Sequence, residues 1–235
     1  MRVRGRGQRW PTADTRRQPC ATADVRALLL AALLALLAGC ASVPTPTTAA
    51  DGRLVVPSDR PVALLVAGDS LAAGFTTTDG DRAFVRIIAT TLGATVTMPP
   101  LRDQPLTTVD RVLDMPGGQD VVLVELGTND IGRRTPAIDF RARYAALLDR
   151  AREGSPAAAL VCLGTWAGDG GSSGGADYDT IISSLCAERA GRFVDLGPIY
   201  RAPGTRGTTD FHPDDDGHRM IADAVLGVLD TQEDP

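Results

Sequence analysis

The fold is indicated by residues 62–70, which read Val-Ala-Leu-Leu-Val-Ala-Gly-Asp-Ser. A short apolar run closed by a glycine and polar turn residues is typical of a strand buried on both faces of a parallel sheet. Similar runs occur at 121–126 and 159–164, and weaker strand candidates lie at 94–98 and 192–196. The sequence therefore predicts a central parallel sheet of about five strands.

Amphipathic helical stretches separate these strands. They are predicted at 82–92, 107–114, 136–152, 177–190 and 216–229. Alternating strands and helices predict helices on both faces of the sheet, connected by right-handed crossovers. We therefore expect one three-layer α/β/α domain over residues 61–230. In such a sheet, ligands bind beyond the carboxyl ends of the strands, where the strand order reverses.

Composition limits the class of protein. The chain has 235 residues, 24 Arg, no Lys and 29 acidic residues, which give a formal charge of -5. The charge is uneven, because residues 1–39 hold 7 Arg and 2 acids, whereas the remainder holds 17 Arg and 27 acids, a charge of -10. A body this acidic repels phosphate backbones, so we expect no nucleic-acid partner.

The N-terminal segment has the features of an exported protein. Arginines precede the stretch 27–38, which contains only Ala and Leu. As a helix it would span about 18 Å, too short for a hydrocarbon core of about 30 Å but typical of a signal peptide. The following Leu37-Ala38-Gly39-Cys40 resembles a bacterial lipobox, in which cleavage leaves a lipid on the cysteine. A buried Ala/Leu helix of a folded domain is the alternative interpretation.

We therefore expect residues 1–39 to be a lipoprotein signal peptide and residues 40–60 to be a lipidated Cys40 followed by a flexible tether rich in Pro and Thr. This arrangement predicts a protein anchored to the outer face of the bacterial cytoplasmic membrane. Residues 231–235 are expected to be a C-terminal tail. Export to an oxidising compartment leaves Cys162 and Cys186 either as a disulfide or as two separate buried thiols.

Three polar segments fall where predicted elements begin or end. Gly68-Asp69-Ser70-Leu71 closes the first strand, and Gly127-Thr128-Asn129-Asp130 follows the strand at 121–126. Thr209-Asp210-Phe211-His212-Pro213 precedes the last helix. Each segment is also ordinary turn or helix-cap composition. Their combination is more specific than any one of them.

Together the three segments resemble the GDSL or SGNH hydrolase family, which is named for Ser, Gly, Asn and His in separate sequence blocks. The first segment matches the first block letter for letter, the second matches the third block, and His212-Pro213 with Gly217 matches the fifth. The resemblance covers about residues 61–230. It implies a flavodoxin-like α/β/α fold and a serine esterase that hydrolyses small acyl esters, without a cofactor or a metal.

The resemblance also implies roles for individual residues. Ser70 would be the nucleophile and His212 the base, because a hydroxyl attacks an ester only if a neighbouring imidazole accepts its proton. The backbone N–H of Ser70 and the side-chain amide of Asn129 would form the oxyanion hole. Loss of one such donor typically costs about 2.7 to 4 kcal/mol.

One departure from the family pattern concerns the oxyanion hole. The second block supplies a glycine whose N–H completes the hole, but residues 98–108 contain no glycine. If Pro105 occupies that place, it has no N–H to offer. Gln104 or Arg102 would then substitute, or the hole would have two donors.

A second departure concerns the group that orients the imidazole. The fifth block usually reads Asp-x-x-His, whereas Thr209 stands three residues before His212. In a Ser-His-Asp triad, the acid orients the imidazole. Here that role falls to Asp210, to Thr209 or to a backbone carbonyl. The acids at 214–216 are expected to stabilise the first turn of the last helix.

The expected substrate is an acylated glycan or a lipid ester of the cell envelope. An O-acyltransferase with the same site and a non-catalytic envelope binding lipoprotein are the alternatives. His218 lies six residues after His212 with no Cys pair or Glu near it, so no metal site is expected. Trp166 and Phe75 either line an acyl or sugar pocket or pack in the core and rim.

Overall fold

The computed structural model describes residues 44–99, 108–109, 115–167, 175–206 and 211–231. Its strands are β1 (Leu54–Val56), β2 (Val62–Gly68), β3 (Ala94–Thr97), β4 (Val121–Glu125), β5 (Ala159–Leu163), β6 (Arg192–Val194) and β7 (Leu229–Thr231). Its α-helices are α1 (Phe84–Thr91), α2 (Thr128–Gly132), α3 (Ala137–Gly154), α4 (Gly175–Ala187), α5 (Gly197–Arg201) and α6 (Asp215–Leu226). A 3₁₀ turn spans Gly80–Arg82.

The central sheet has five parallel strands in the order β3-β2-β4-β5-β6. This confirms the predicted parallel sheet. The chain passes from β2 to β3 on one side and then returns to β4 on the other side of β2. The strand order therefore reverses at β2, and the crevice where such sheets bind ligands lies at the carboxyl ends of β2 and β4.

Alternate residues of each central strand face two separate apolar clusters. In β2, Leu64 and Val66 pack in the cluster that includes α1 and α6. Leu65 and Ala67 pack in the opposite cluster, which includes α3 and α4. Burial of both faces explains why the strand sequence is continuously apolar rather than alternating, and it gives the three-layer α/β/α architecture.

The predicted tether at 40–60 is wrong for its C-terminal part. Residues Leu54–Val56 form β1, which pairs in parallel with β7. The side chains of Leu54 and Val56 are fully buried in the apolar cluster next to α6. The pairing also places Thr231, predicted to begin the tail, in a strand. A three-residue strand among Pro and Thr residues is too short to give a clear periodic signal.

Four of the five predicted helices occur close to their expected positions, as α1, α3, α4 and α6. The last prediction extended to residue 229, whereas α6 ends at Leu226 and β7 begins at Leu229. The predicted helix at 107–114 lies outside the described residues except for Thr108 and Val109.

A disulfide joins Cys162 in β5 to Cys186 in α4, with their Cα atoms 6.3 Å apart. Both cysteines are completely buried. The bond fastens α4 to the sheet on the face that it covers. Of the two alternatives left open by the sequence, the structure contains the disulfide.

The segment predicted to be a signal peptide, and Cys40 after it, lie outside the described residues. Among the helices that the structure describes, none is long and apolar enough to cross a membrane.

Candidate active site

Ser70 lies in the turn that leaves β2 at the carboxyl edge of the sheet. Its Oγ is 3.0 Å from Nε2 of His212, although 142 positions separate the two residues in sequence. Ser70 is only 5% exposed. A hydroxyl within hydrogen-bond distance of an imidazole is the geometry required for a base-activated serine.

The turn that carries Ser70 requires a glycine at position 68. A Cβ on Gly68 would overlap the Cβ of Ala72 and would lie 3.2 Å from Oε2 of Glu125. The turn can therefore approach β4 closely only because residue 68 has no side chain. This close approach places the residues after Gly68 directly over the end of the adjacent strand.

Asp69 connects the serine turn to Asn129. Its side chain is fully buried, and Oδ1 accepts a hydrogen bond from the backbone N–H of Leu71 at 3.0 Å. Oδ2 accepts a second one from Nδ2 of Asn129 at 2.8 Å. This contact joins the loops after β2 and β4. The amide expected in the oxyanion hole is thus tied to the residue that precedes Ser70.

Asn129 lies in α2, which begins directly after Gly127. Gly127 has a φ of +128°, a conformation that disfavours residues with a side chain. A Cβ there would lie 3.1 Å from Cγ2 of Thr165 and 3.3 Å from the ring of Phe140. The glycine therefore allows an abrupt turn from β4 into α2, which keeps Asn129 at the edge of the sheet.

A second carboxyl group, Glu125 at the end of β4, lies beneath the serine turn and is 1% exposed. Its Oε2 accepts a hydrogen bond from the backbone N–H of Asp69 at 3.2 Å, while Oε1 has no partner among the described residues. Burial, followed by the charge of Asp69, raises the pKa of Glu125 well above its ordinary value. Burial also raises the pKa of Asp69 to about 6. Burial therefore favours the protonated form of Glu125.

His212 follows a backbone segment that a buried tryptophan holds in place. Nε1 of Trp166 donates a hydrogen bond to the carbonyl oxygen of Phe211 at 2.8 Å, and Trp166 is completely buried. The imidazole contacts two aromatic rings, Phe75 at a centroid distance of 5.5 Å and Phe211 at 5.8 Å. Trp166 therefore belongs to the core, whereas Phe75 lies at the rim of the site.

Several residues that the sequence singled out lie outside the described residues. Asp210 and Thr209, the candidates for orienting His212, are among them. So are the second-block candidates Pro105, Gln104 and Arg102.

The acidic run at 214–216 lies at the start of α6. Asp214 caps the helix, with its Oδ1 accepting a hydrogen bond from the N–H of Gly217 at 2.9 Å. Asp215 accepts hydrogen bonds from the backbone N–H and the hydroxyl of Thr78, at 2.9 Å and 2.5 Å. These contacts agree with the expected role at the helix terminus and also connect α6 to the loop after the serine turn.

His218 is a buried residue that bridges two backbone segments. Its Nδ1 accepts a hydrogen bond from the N–H of Phe84 at 3.4 Å, and its Nε2 donates one to the carbonyl oxygen of Phe75 at 3.3 Å. Burial lowers the pKa of His218, which favours this neutral form. Within the described ranges, no three His, Cys, Asp or Glu side chains are grouped to hold a metal ion.

Sequence reasoning missed the site contacts of Glu125, Phe211 and His218. A signal existed for Glu125, which is the one charged residue in the run Val121–Leu126. A second signal was the large apolar Phe211 directly before the candidate base. No sequence signal indicated that His218 contacts the backbone of Phe75, because 143 positions separate them.

The contact between Ser70 and His212 lies at the switch point of a parallel α/β/α sheet, the position where such folds bind their ligands. The sequence matches the model of the GDSL-like Lipase/Acylhydrolase family over residues 66–220. The chain belongs to this family and is a carboxylic ester hydrolase. Among curated proteins, none matches the sequence.

Solved structures share the fold at low sequence identity. TesA superposes with a TM-score of 0.59 at 18% identity, covering 71% of this chain and 97% of its own. The esterase EstA from Pseudoalteromonas gives 0.57 at 15% identity, covering 71% and 95%. A mutant of Axe2, an acetyl-xylooligosaccharide esterase from Geobacillus, gives 0.56 at 16% identity, covering 73% and 94%. The fold of this chain is therefore that of these enzymes.

Proposed function

We propose that the protein is a serine esterase that hydrolyses small, acetyl-type esters, with Ser70 as nucleophile and His212 as general base. The observation that carries this proposal is the 3.0 Å separation between Ser70 Oγ and His212 Nε2. A serine hydroxyl has a pKa far above neutrality, so it attacks an ester efficiently only if a base takes its proton during attack.

In the first half of the reaction, Ser70 Oγ bonds to the carbonyl carbon while its proton moves to Nε2 of His212. The bond between that carbon and the alcohol oxygen then breaks, and the imidazolium gives the proton to the departing alcohol. In the second half, His212 takes a proton from water as the water attacks the acyl-enzyme. The carboxylic acid leaves and the proton returns to Ser70.

The oxyanion of each tetrahedral intermediate would accept hydrogen bonds from the backbone N–H of Ser70 and from Nδ2 of Asn129. The hydrogen bond from Asn129 to Asp69 supports this role, because it holds the amide in one orientation before substrate arrives. Removal of the amide should slow acylation by about 100- to 1000-fold. Asn129→Ala, assayed for kcat, measures this contribution.

Asp210 is the proposed orienting group for His212. If its carboxylate stabilises the imidazolium, Asp210→Asn should lower kcat strongly and leave KM nearly unchanged. Equal kcat values for the variant and the wild type would remove Asp210 from the mechanism and favour Thr209 or a backbone carbonyl.

We propose an acylated envelope glycan or lipid ester as the physiological substrate, reached from a lipid anchor at Cys40. The lipobox-like sequence before Cys40 supports the location, and the likeness of the fold to an acetyl-xylooligosaccharide esterase supports an acetyl ester. Cys40→Ala should abolish lipid labelling and release the protein from membranes. Unchanged membrane fractionation would contradict the anchor.

Hydrolysis of p-nitrophenyl acetate tests the catalytic proposal directly. Ser70→Ala and His212→Ala should each lower kcat by at least about 100-fold, since both remove base-assisted attack. Ser58→Ala, at an exposed serine between β1 and β2, is the matched control and should retain the wild-type rate. Ligand binding with no hydrolysis above the Ser70→Ala level would favour the non-catalytic binder. Transfer of acetyl to an added sugar alcohol, faster than hydrolysis, would favour the acyltransferase.

A further inference from the structure

Two exposed phenylalanines lie beside the candidate base. Among the described residues, the exposed large apolar side chains are Phe75, Phe211 and Ile138, at 45%, 44% and 74% exposure. Ile138 lies on α3, but both phenylalanine rings contact the imidazole of His212. The exposed phenyl rings are therefore concentrated next to His212 and are not part of a larger exposed apolar surface among the described residues.

The backbones of both phenylalanines are fixed by buried donors. The carbonyl oxygen of Phe211 accepts a hydrogen bond from Nε1 of Trp166 at 2.8 Å, and that of Phe75 accepts one from Nε2 of His218 at 3.3 Å. Trp166 and His218 are both completely buried. The N–H of Phe75 also donates to the carbonyl oxygen of Ser70 at 3.0 Å. The fold thus holds two apolar rings at the surface in defined positions.

The two rings present different orientations to the imidazole. The ring of Phe75 is tilted by 34° from the plane of His212, while that of Phe211 stands at 79°. Phe211 is supported from behind by Tyr200, at a centroid distance of 6.0 Å, and Tyr200 in turn contacts Trp166 at 5.2 Å. This aromatic row anchors the exposed ring to the core.

The chemistry of the reaction determines which part of a substrate meets these rings. In the proposed mechanism, Nε2 of His212 gives its proton to the departing alcohol, so the alcohol oxygen must lie within hydrogen-bond distance of the imidazole. The atoms attached to that oxygen then lie against the side chains that surround His212. The carbonyl oxygen instead lies toward the proposed oxyanion donors, Ser70 N–H and Asn129, and the acyl substituent occupies a different direction from the leaving alcohol.

We propose that Phe75 and Phe211 select substrates by their alcohol part, favouring esters of a ring alcohol over esters of a short open-chain alcohol. The alcohols that fit this surface share a flat or chair-shaped ring with an apolar face, which packs on a phenyl ring. Phenols and pyranose sugars are both of this kind. This inference rests on the proposed function, because it uses the proton transfer from His212 to the leaving oxygen.

The test uses three acetates that produce the same acetyl-enzyme: ethyl acetate, phenyl acetate and an acetylated methyl pyranoside. The full chain is assayed for acetate release as wild type, Phe75→Ala and Phe211→Ala, with Ile138→Ala as the control for loss of an exposed apolar side chain. Each phenylalanine variant should lose about tenfold in kcat/KM on at least one of the two ring esters, and less than about twofold on ethyl acetate. Ile138→Ala should change none of the three.

The two ring esters distinguish the source of the ring, since a loss confined to phenyl acetate indicates an aryl alcohol and a loss on the pyranoside indicates a sugar. Equal losses of kcat/KM on all three acetates would overturn the inference. A second comparison uses phenyl acetate and phenyl butyrate, which differ only in the acyl group. If a phenylalanine variant changes the preference between these two esters, the rings contact the acyl group and the inference is also overturned. Phe75→Leu and Phe211→Leu, which keep apolar bulk without a ring, should show the same selectivity with a smaller loss. If the wild type releases acetate from none of these esters faster than Ser70→Ala, the proposed function fails as well.

Discussion

Asp69→Asn should remove a specific pH dependence of stability. Asp69 is fully buried between the serine turn and Asn129, next to the carboxyl group of Glu125. Its desolvation raises its pKa from an ordinary value of 3.8 to about 6 in the folded protein. The folded state therefore binds this proton more tightly than the unfolded chain does.

The two pKa values of Asp69, folded and unfolded, determine the direction and the magnitude of the change in stability with pH. A carboxyl group whose pKa is raised by folding contributes stability that is fully present below pH 3.8 and is lost as the pH rises through about 6. The values differ by about 2 pH units, and at about 1.4 kcal/mol per unit the loss is about 3 kcal/mol. Asn at this position cannot ionise, so the variant should not suffer this loss.

Urea unfolding at several pH values from about pH 4 to about pH 7 measures the effect. The free energy of unfolding of Asp69→Asn, relative to wild type, should rise by most of that amount across this range. Titrating groups that do not contact Asp69, including the buried His218, are present in both proteins and cancel in the comparison. Ile138→Ala, at an exposed residue with no titratable group, is the control and should keep the wild-type pH dependence. Parallel curves for Asp69→Asn and wild type would refute the reasoning.

Two further predictions concern the scaffold of the site. Replacing both Cys162 and Cys186 with Ala removes a cross-link between residues 24 positions apart. The unfolded chain then gains conformational entropy, so the free energy of unfolding should fall by about 3 kcal/mol. A urea midpoint equal to that of the oxidised wild type would contradict this. Gly68→Ala introduces a Cβ that overlaps Ala72, so the turn should shift and kcat for p-nitrophenyl acetate should fall by about 100-fold. Gly80→Ala, where a Cβ meets no atom within 4 Å, should retain the wild-type kcat, and equal losses in the two variants would show that the close packing at Gly68 has no special role.

The central sheet could be predicted from sequence because its strands are buried on both faces. Continuous apolar runs such as 62–67 distinguish these strands from the amphipathic helices between them. The strand Leu54–Val56 could not be recognised, since its partner β7 lies at the far end of the chain and neither is longer than three residues. Pairing of distant short strands depends on tertiary packing rather than on local pattern.

For the site, the sequence predicted which residues lie at the ends of strands, but not which atoms meet. The position of Ser70 after β2 and of Asn129 after β4 follows from strand order in a parallel sheet. The hydrogen bond between Asn129 and Asp69 depends on side-chain rotamers that no pattern encodes. The same holds for Glu125, whose carboxyl group could equally have pointed to solvent at the end of its strand.

The most direct test of the account is covalent labelling with a fluorophosphonate, followed by identification of the modified residue by mass spectrometry. The reagent bonds to a serine oxygen that a neighbouring base has activated. We predict an adduct on the peptide that contains Ser70 in the wild type, none at this position in Ser70→Ala, and labelling at least about 100-fold slower in His212→Ala. An adduct at a different serine, or an equal labelling rate without His212, would contradict the claim that these two side chains form the catalytic pair.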